Sequence, residues 1–453
     1  MFDQERVSTG IKELDNFLEG GFLRGQVILL AGNPGTGKTT FGTQFLYEGL
    51  KNGEPGIYIG IVEPKEDYMR YMKNIGFDLE KFEKEGKFAF IEALTIKQPY
   101  LTDVFIEVLL KAIKEINAKR VVIDSITAIS LALNDQKEVR SFIHNTLLRG
   151  LKMMGVTGLV IADLPYNVDV IGYGVEEFVL DGVIVLKKEL YRGIPRRRLY
   201  IEKIRGSKIH SLRFDFVIDR GGIGIIPPLG YPPAGKIGEK VVPFGIAELD
   251  SLLQGGIRGG TSTILLGPSG SGKTIISLKF GLTGALFKER VLYISFEESI
   301  EQLQGYLKKM GAPQDTFGNI KIFSQTPLIL SPYELIFEIK NLIEINKPER
   351  VVLDGATALR NIYSSKDFSE LIRYLSFWCK SKNITLIVTA IGEPLKEGTM
   401  LSTAFDNVIE LWLYKEGNKI IRKISVLKSR GVLVRSVLKT FDFGEGGQLL
   451  FSD

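Results

Sequence analysis

The sequence predicts an α/β protein made of two tandem copies of one domain, each a mostly parallel sheet flanked by helices. One observation is a duplication: "STGIKELDNFLEGGFLRGQVILLAGNPGTGKTT" at residues 8–40 reappears as "PFGIAELDSLLQGGIRGGTSTILLGPSGSGKTI" at residues 243–275, ungapped and offset by 235. The other is an alternation, in both halves, of short apolar runs with longer helical patterns, the signature of a parallel sheet covered by helices.

The strand-like runs come in the same order twice. The first half has "QVILLAG", "GIYIGIV", "RVVIDSI" and "GLVIAD", and the second has "TILLGP", "VLYISF", "RVVLDG" and "TLIVTA". The offset falls to 230 where Arg120 matches Arg350, and to 225 where "EKIRG" ending at Gly206 matches "LKSRG" ending at Gly431. The second copy therefore has shorter connections. Between the copies, "IIPPLGYPPAG" at residues 225–235 holds four prolines and reads as an extended linker. The expected domains are residues 1–232 and 233–453.

Composition narrows the chemistry. The chain has 453 residues, 44% hydrophobic and 25% charged, an ordinary globular balance. No apolar run approaches the roughly 18 residues of a membrane span, and "MFDQERVSTG" has no signal-peptide core, so a cytoplasmic protein is expected. One cysteine, Cys379, and two histidines, His144 and His210, supply neither a disulfide nor a zinc site. The net charge of +5, from 58 basic and 53 acidic residues, permits nucleic-acid binding without arguing for it.

Two P-loops carry the functional argument. The first comprises Gly32, Asn33, Pro34, Gly35, Thr36, Gly37, Lys38 and Thr39, with Thr40 continuing into a helix. The second comprises Gly267, Pro268, Ser269, Gly270, Ser271, Gly272, Lys273 and Thr274, followed by Ile275. Glycines let the backbone approach phosphate oxygens, and successive amides at a helix N-terminus form a concave anion site. Lys38 and Lys273 are expected to reach the β and γ phosphates of ATP, with Thr39 and Thr274 ligating Mg²⁺. Asp124 and Asp354, each ending an apolar strand, are the Walker B candidates for the metal shell.

Hydrolysis needs a group that orients or deprotonates the attacking water. Glu297 and Glu298, closing the "YIS" strand, are placed for this, on a strand expected beside the P-loop strand; Glu298 is also a candidate for a metal-bound water. The first half has Val62 and Glu63 at these positions. With one carboxylate fewer, its site is expected to turn over slowly or to rely on Glu63, and to serve assembly.

The two P-loop halves, the "GI..LD..L.GG..RG" lead-in, the Glu-Glu pair, the "K.RG" segments and "YGVEEFVLDGVIVL" at residues 173–186 together resemble the KaiC family of RecA-like ATPases in its double-domain form. The resemblance implies tandem RecA-like domains and a homo-hexamer of two stacked rings with ATP between subunits. It nominates Lys203 and Arg205, and Lys428 and Arg430, as cations supplied across an interface to the γ-phosphate. It also implies autophosphorylation of a Ser-Thr pair, here Ser402 and Thr403 in "MLSTAFDNVIEL"; the first half has Glu177 and Phe178 there. Two departures stand out: Val62, and an end at "FGEGGQLLFSD" without the long tail through which clock members meet an activating partner. A circadian role does not follow, and the signalling partner is unidentified.

Two other classes compete. A DNA or RNA motor such as a recombinase or ring helicase uses the same core, and "RGIPRRRLYIEKIRGSK" at residues 192–208 is basic. A β-hairpin at a subunit interface is the preferred reading of that stretch, since no aromatic-interleaved groove accompanies it. A nucleotide-dependent scaffold with negligible turnover is the third class.

Overall fold

A computed structural model describes residues 5–61, 63–93, 101–130, 133, 136–165, 179–191, 193–207, 212–226, 238–325, 330–392, 404–434 and 437–452. The chain forms two compact units, Met1–Pro228 and Leu229–Asp453. Ile225 and Ile226, read from sequence as the start of the linker, instead end a buried strand. Both are apolar and buried at the end of a strand in which Ile223 and Ile225 alternate with Gly222 and Gly224, which suits a sheet edge better than an extended connection.

The first unit's sheet contains β1 (Val27–Gly32), β2 (Gly56–Gly60), β3 (Phe88–Glu92), β4 (Arg120–Asp124), β5 (Thr157–Asp163), β6 (Gly182–Tyr191), β7 (Ile194–Ile204), β8 (Leu212–Asp219) and β9 (Gly222–Ile226). Their spatial order is β9-β8-β7-β6-β1-β5-β4-β2-β3. The six strands β1 to β6 pair in parallel, and β7, β8 and β9 extend the sheet antiparallel beyond β6. β1 is buried at every residue, as a central parallel strand must be. Ile28 and Leu30 face Phe41 and Phe45 of helix α1 (Lys38–Lys51), while Val27, Leu29 and Ala31 face the other layer with Leu109 and Ile113.

The second unit repeats this plan with β10 (Ser262–Leu266), α2 (Lys273–Leu286), β11 (Val291–Ser295), β12 (Ile320–Ser324), β13 (Arg350–Asp354), β14 (Thr385–Ala390), β15 (Asn407–Glu416), β16 (Lys419–Ser429), β17 (Lys439–Phe443) and β18 (Leu449–Ser452). The order is β12-β11-β13-β14-β10-β15-β16-β17-β18. One expectation is corrected here. The strand before Glu297 ends at Ser295 and is not beside the P-loop strand: β11 pairs with β12 and β13, whereas β10 lies between β14 and β15. The crossovers after α2 carry the chain past two strand positions that later strands fill.

The lead-in motif acquires a physical reason. Asp250 accepts hydrogen bonds from the backbone N–H groups of Phe244, Gly245 and Ile246 at 2.7, 2.9 and 3.1 Å. Asp15 does the same work in the first unit, accepting from Thr9 N at 2.7 Å and from the Ser8 and Thr9 hydroxyls. Each half then locks this loop to the sheet with a buried arginine. Arg120 donates to Ser8 O and Phe45 O, and Arg350 to Pro243 O and Phe280 O.

Candidate nucleotide sites

Each P-loop follows the C-terminal end of a central strand and runs into a long helix. Gly37 and Gly272, the residues immediately before α1 and α2, have φ of 101° and 104°, which a side-chain-bearing residue rarely adopts. A Cβ on Gly37 would also stand 2.5 Å from Ile218 Cδ1. The loop therefore needs glycine both for its turn and for its seat against the sheet.

In the first unit, Lys38 Nζ donates to Gly32 O at 2.9 Å and Asn33 O at 3.2 Å, spanning the loop it belongs to. Thr39 Oγ1 donates to Asp124 Oδ2 at 2.9 Å, and Tyr58 OH donates to the same oxygen at 2.6 Å. Burial pushes the Asp124 carboxyl up, opposed by the hydrogen bonds from Tyr58 and Thr39 and by the charge of Lys38. Glu63 is half-buried nearby, raised by burial and by the charges of Asp124 and Asp67. Val62 lies outside the described residues.

The second unit forms a cleft of about 280 Å³ whose lining includes Ser269, Gly270, Lys273, Thr274, Ile275, Glu297, Glu298 and Asp354. Lys273 Nζ donates to Gly267 O and Pro268 O, both at 2.8 Å. Asp354 is buried and accepts from Thr389 Oγ1 at 2.5 Å and from Tyr293 OH. Glu297 sits at the mouth of the cleft, and its carboxyl is raised by partial burial and by the Asp354 charge, with Lys273 opposing. Lys273 is in turn lowered by burial, against the pull of Asp354 and Glu297. The two strands interposed between β11 and β10 do not remove Glu297 and Glu298 from the cleft that Lys273 and Thr274 line.

The donor sets fit ATP with Mg²⁺. A threonine hydroxyl and an aspartate carboxylate converge at 2.9 Å in the first site, and Thr274 and Asp354 line one cleft in the second. These are hard oxygen donors of the kind Mg²⁺ takes alongside phosphate and water oxygens. Among the described residues no group of three or more His, Cys, Asp and Glu could hold a metal ion.

The cations assigned to a trans role lie far from their own P-loops. Lys203 stands opposite Val183 and near Gly182, which is in register with Ile28 at the entry of β1, whereas the P-loop follows its exit at Gly32. Lys203 Nζ donates to Leu180 O at 2.9 Å, and exposed Arg205 pairs with Asp181 at 3.6 Å. The second unit matches this: Lys428 Nζ donates to Phe405 O at 2.7 Å, and Arg430 pairs with Asp406 at 3.1 Å. Burial lowers both lysines, the neighbouring arginine adding to it. The supporting residues were not legible as such. Asp181 and Asp406 are buried, accept from the backbone of Val27 and Ser262, and hold the cationic segment against the sheet.

The basic stretch before Lys203 is a hairpin, β6 with β7. Two of its arginines are paired with carboxylates: Arg196 is buried against Asp215 of β8, with Nη2 2.9 Å from Oδ2, and Arg198 pairs with Glu189. Ser402, Thr403, Glu177 and Phe178 lie outside the described residues. Cys379 is buried, which pushes its thiol up to about 12. No helix among the described residues is long and apolar enough to cross a membrane.

Sequence comparison agrees with this architecture. The family model described as "ATPase: KaiC" matches twice, at residues 7–230 and 242–450. The circadian clock protein KaiC3 of Synechocystis sp. is 30% identical over 99% of this chain and 93% of its own length. KaiC2 of the same organism is 28% identical over 98% and 80%, and the circadian clock oscillator protein KaiC of Synechococcus elongatus is 28% identical over 98% and 88%. With both P-loop units matched and relatives aligned over nearly the whole of this chain, the chain belongs to the KaiC family of ATPases.

Proposed function

We propose that the protein is an ATPase whose two halves divide the work in a homo-hexameric double ring: the first half binds ATP with slow turnover and serves assembly, and the second hydrolyses ATP and phosphorylates its own Ser402 or Thr403. The observation that carries this reading is the second cleft, of about 280 Å³, whose lining brings together Lys273, Thr274, Asp354, Glu297 and Glu298. A raised carboxyl at Glu297 suits a base, because its proton affinity lies closer to working pH.

In the transfer step, Glu297 takes the proton of the attacking water or hydroxyl as its oxygen bonds to the γ-phosphorus. The bond from that phosphorus to the β–γ bridging oxygen breaks, and ADP leaves. Lys273 balances the charge that spreads over the phosphoryl oxygens. Thr274 and Asp354 would hold Mg²⁺, with Glu298 positioning a water beside it, and the bound ion would supply charge neutralisation to the phosphate oxygens. The first half would hold its Mg²⁺ through Thr39 and Asp124.

Arg430 and Lys428 serve a neighbour's site in this reading, as Arg205 and Lys203 do in the first half. Their support is their position at the strand end opposite their own P-loop. The pairing of Arg196 with Asp215 and of Arg198 with Glu189 weighs against a nucleic-acid motor. The test is incubation with Mg²⁺ and γ-labelled ATP, following free phosphate and label retained on protein. Retained label that disappears in Ser402→Ala/Thr403→Ala supports the autokinase. Release without retention leaves an ATPase alone, and neither release nor retention leaves a nucleotide-dependent scaffold.

A further inference from the structure

Asp163 ends β5, in register with Gly32 at the mouth of the first P-loop. Its Oδ1 lies 3.1 Å from Lys38 Nζ, whose side chain is only 10% exposed. Its Oδ2 accepts from Ser125 Oγ at 3.0 Å, and its backbone N–H donates to Thr127 Oγ1 at 2.8 Å. Lysine and serine thus hold this half-exposed carboxylate, and threonine its backbone, beside the ammonium that faces the terminal phosphates.

The second half is built differently. There Leu266 is opposite Ala390, so the residue matching Asp163 is Ile391. Among the described residues no carboxylate forms an ion pair with Lys273, which is held by Gly267 O and Pro268 O. Each half still sets three carboxylates around its phosphate region, but from different strand ends: Glu63, Asp124 and Asp163 in one, Glu297, Glu298 and Asp354 in the other.

We propose that Asp163 is a positioning residue of the first site which, acting through Lys38, sets how strongly that site distinguishes nucleoside triphosphate from diphosphate. This rests on the reading of the first half as an ATP site. A P-loop lysine serves the β and γ phosphates, and here its charge is shared with a fixed carboxylate. That carboxylate also opposes the γ-phosphate with like charge, whereas the β-phosphate, cradled by loop amides, lies farther away. Asp163 therefore weakens triphosphate binding selectively and brings the two nucleotides closer in affinity.

The test uses the full chain carrying Lys273→Ala/Thr274→Ala, which silences the second P-loop, and measures binding of a non-hydrolysable ATP analogue and of ADP, each with Mg²⁺. In that background Asp163→Asn tightens the triphosphate by about tenfold and ADP by less than about threefold. Asp163→Ile, which installs the second half's residue, shifts the ratio the same way, and Asp163→Glu, which keeps the charge, holds it near the parent value. A ratio unchanged by Asn and Ile, or equal changes for both nucleotides, makes Asp163 merely structural and overturns the proposal. If the parent binds neither nucleotide, the ATP-site reading itself fails and takes the proposal with it.

Discussion

The side chain of Glu297 lies over the α-carbon of Gly355: a Cβ added to Gly355 would stand 2.7 Å from Glu297 Cγ and 2.9 Å from Cδ. Gly355, the residue after the Walker B candidate Asp354, also has φ of +75°. The first half has Ser125 at this position and Val62 in place of the glutamate. Serine at 355 is expected to displace Glu297 and lower second-site phosphate release at least about tenfold. It also costs about 1–2 kcal/mol through the left-handed backbone, readable in urea unfolding.

The raised carboxyl of Glu297 gives a pH dependence with a defined sign. As a base it must be ionised, so second-site turnover falls as pH drops through a value above the ordinary 4.5. Glu297→Gln removes that inflection along with most of the turnover. Because a carboxyl raised on folding favours the protonated form, its stabilisation is present at low pH and lost as pH rises through the raised value. Glu297→Gln is therefore expected to be no less stable than wild type at neutral pH, measured by its thermal midpoint.

Arg430 separates action across an interface from action within a chain. Arg430→Ala is expected to lower turnover by about a hundredfold, consistent with loss of a cation opposite the γ-phosphate. Mixing Arg430→Ala chains with Lys273→Ala chains and reassembling them rebuilds interfaces that have both groups intact, so activity returns in part. If mixing restores nothing, Arg430 acts only on its own fold.

Arg350 tests what holds the second unit together. Its side chain is 1% exposed, donates to Glu289 at 2.5 Å, and lies 4.5 Å from the centre of the Phe280 ring. Arg350→Ala leaves a buried carboxylate short of its partner and is expected to cost about 3–5 kcal/mol in that unit. Burial pushes Glu289 up, but Lys240 and Arg350 outweigh this and hold it below 4.5. Its contribution is thus full above that pH and lost as pH falls through the lowered value. Urea unfolding at neutral and acid pH reads both effects.

The sequence made the repeat, the P-loops and the strand runs legible because each has local spacing: a fixed offset, glycines at φ > 0 positions, apolar residues in short blocks. Strand order was not legible in the same way. The expectation that β11 neighbours β10 failed because crossovers skip positions, which pattern alone does not encode. Asp163 and Thr389 were hidden for a related reason. A polar residue at or next to the end of a buried strand looks ordinary until the fold shows it beside Lys38 or Asp354. Asp181 and Asp406 belonged to legible segments, but their burial under Arg205 and Arg430 is a tertiary fact.

The most direct measurement compares phosphate release from wild type, Glu63→Gln and Glu297→Gln at saturating ATP and Mg²⁺, with nucleotide binding checked in each. A division of labour between the halves predicts that Glu63→Gln keeps most of the release and Glu297→Gln loses most of it, while both chains still bind ATP. If Glu63→Gln abolishes release and Glu297→Gln leaves it unchanged, the first half is the working ATPase and the assignment of roles is reversed.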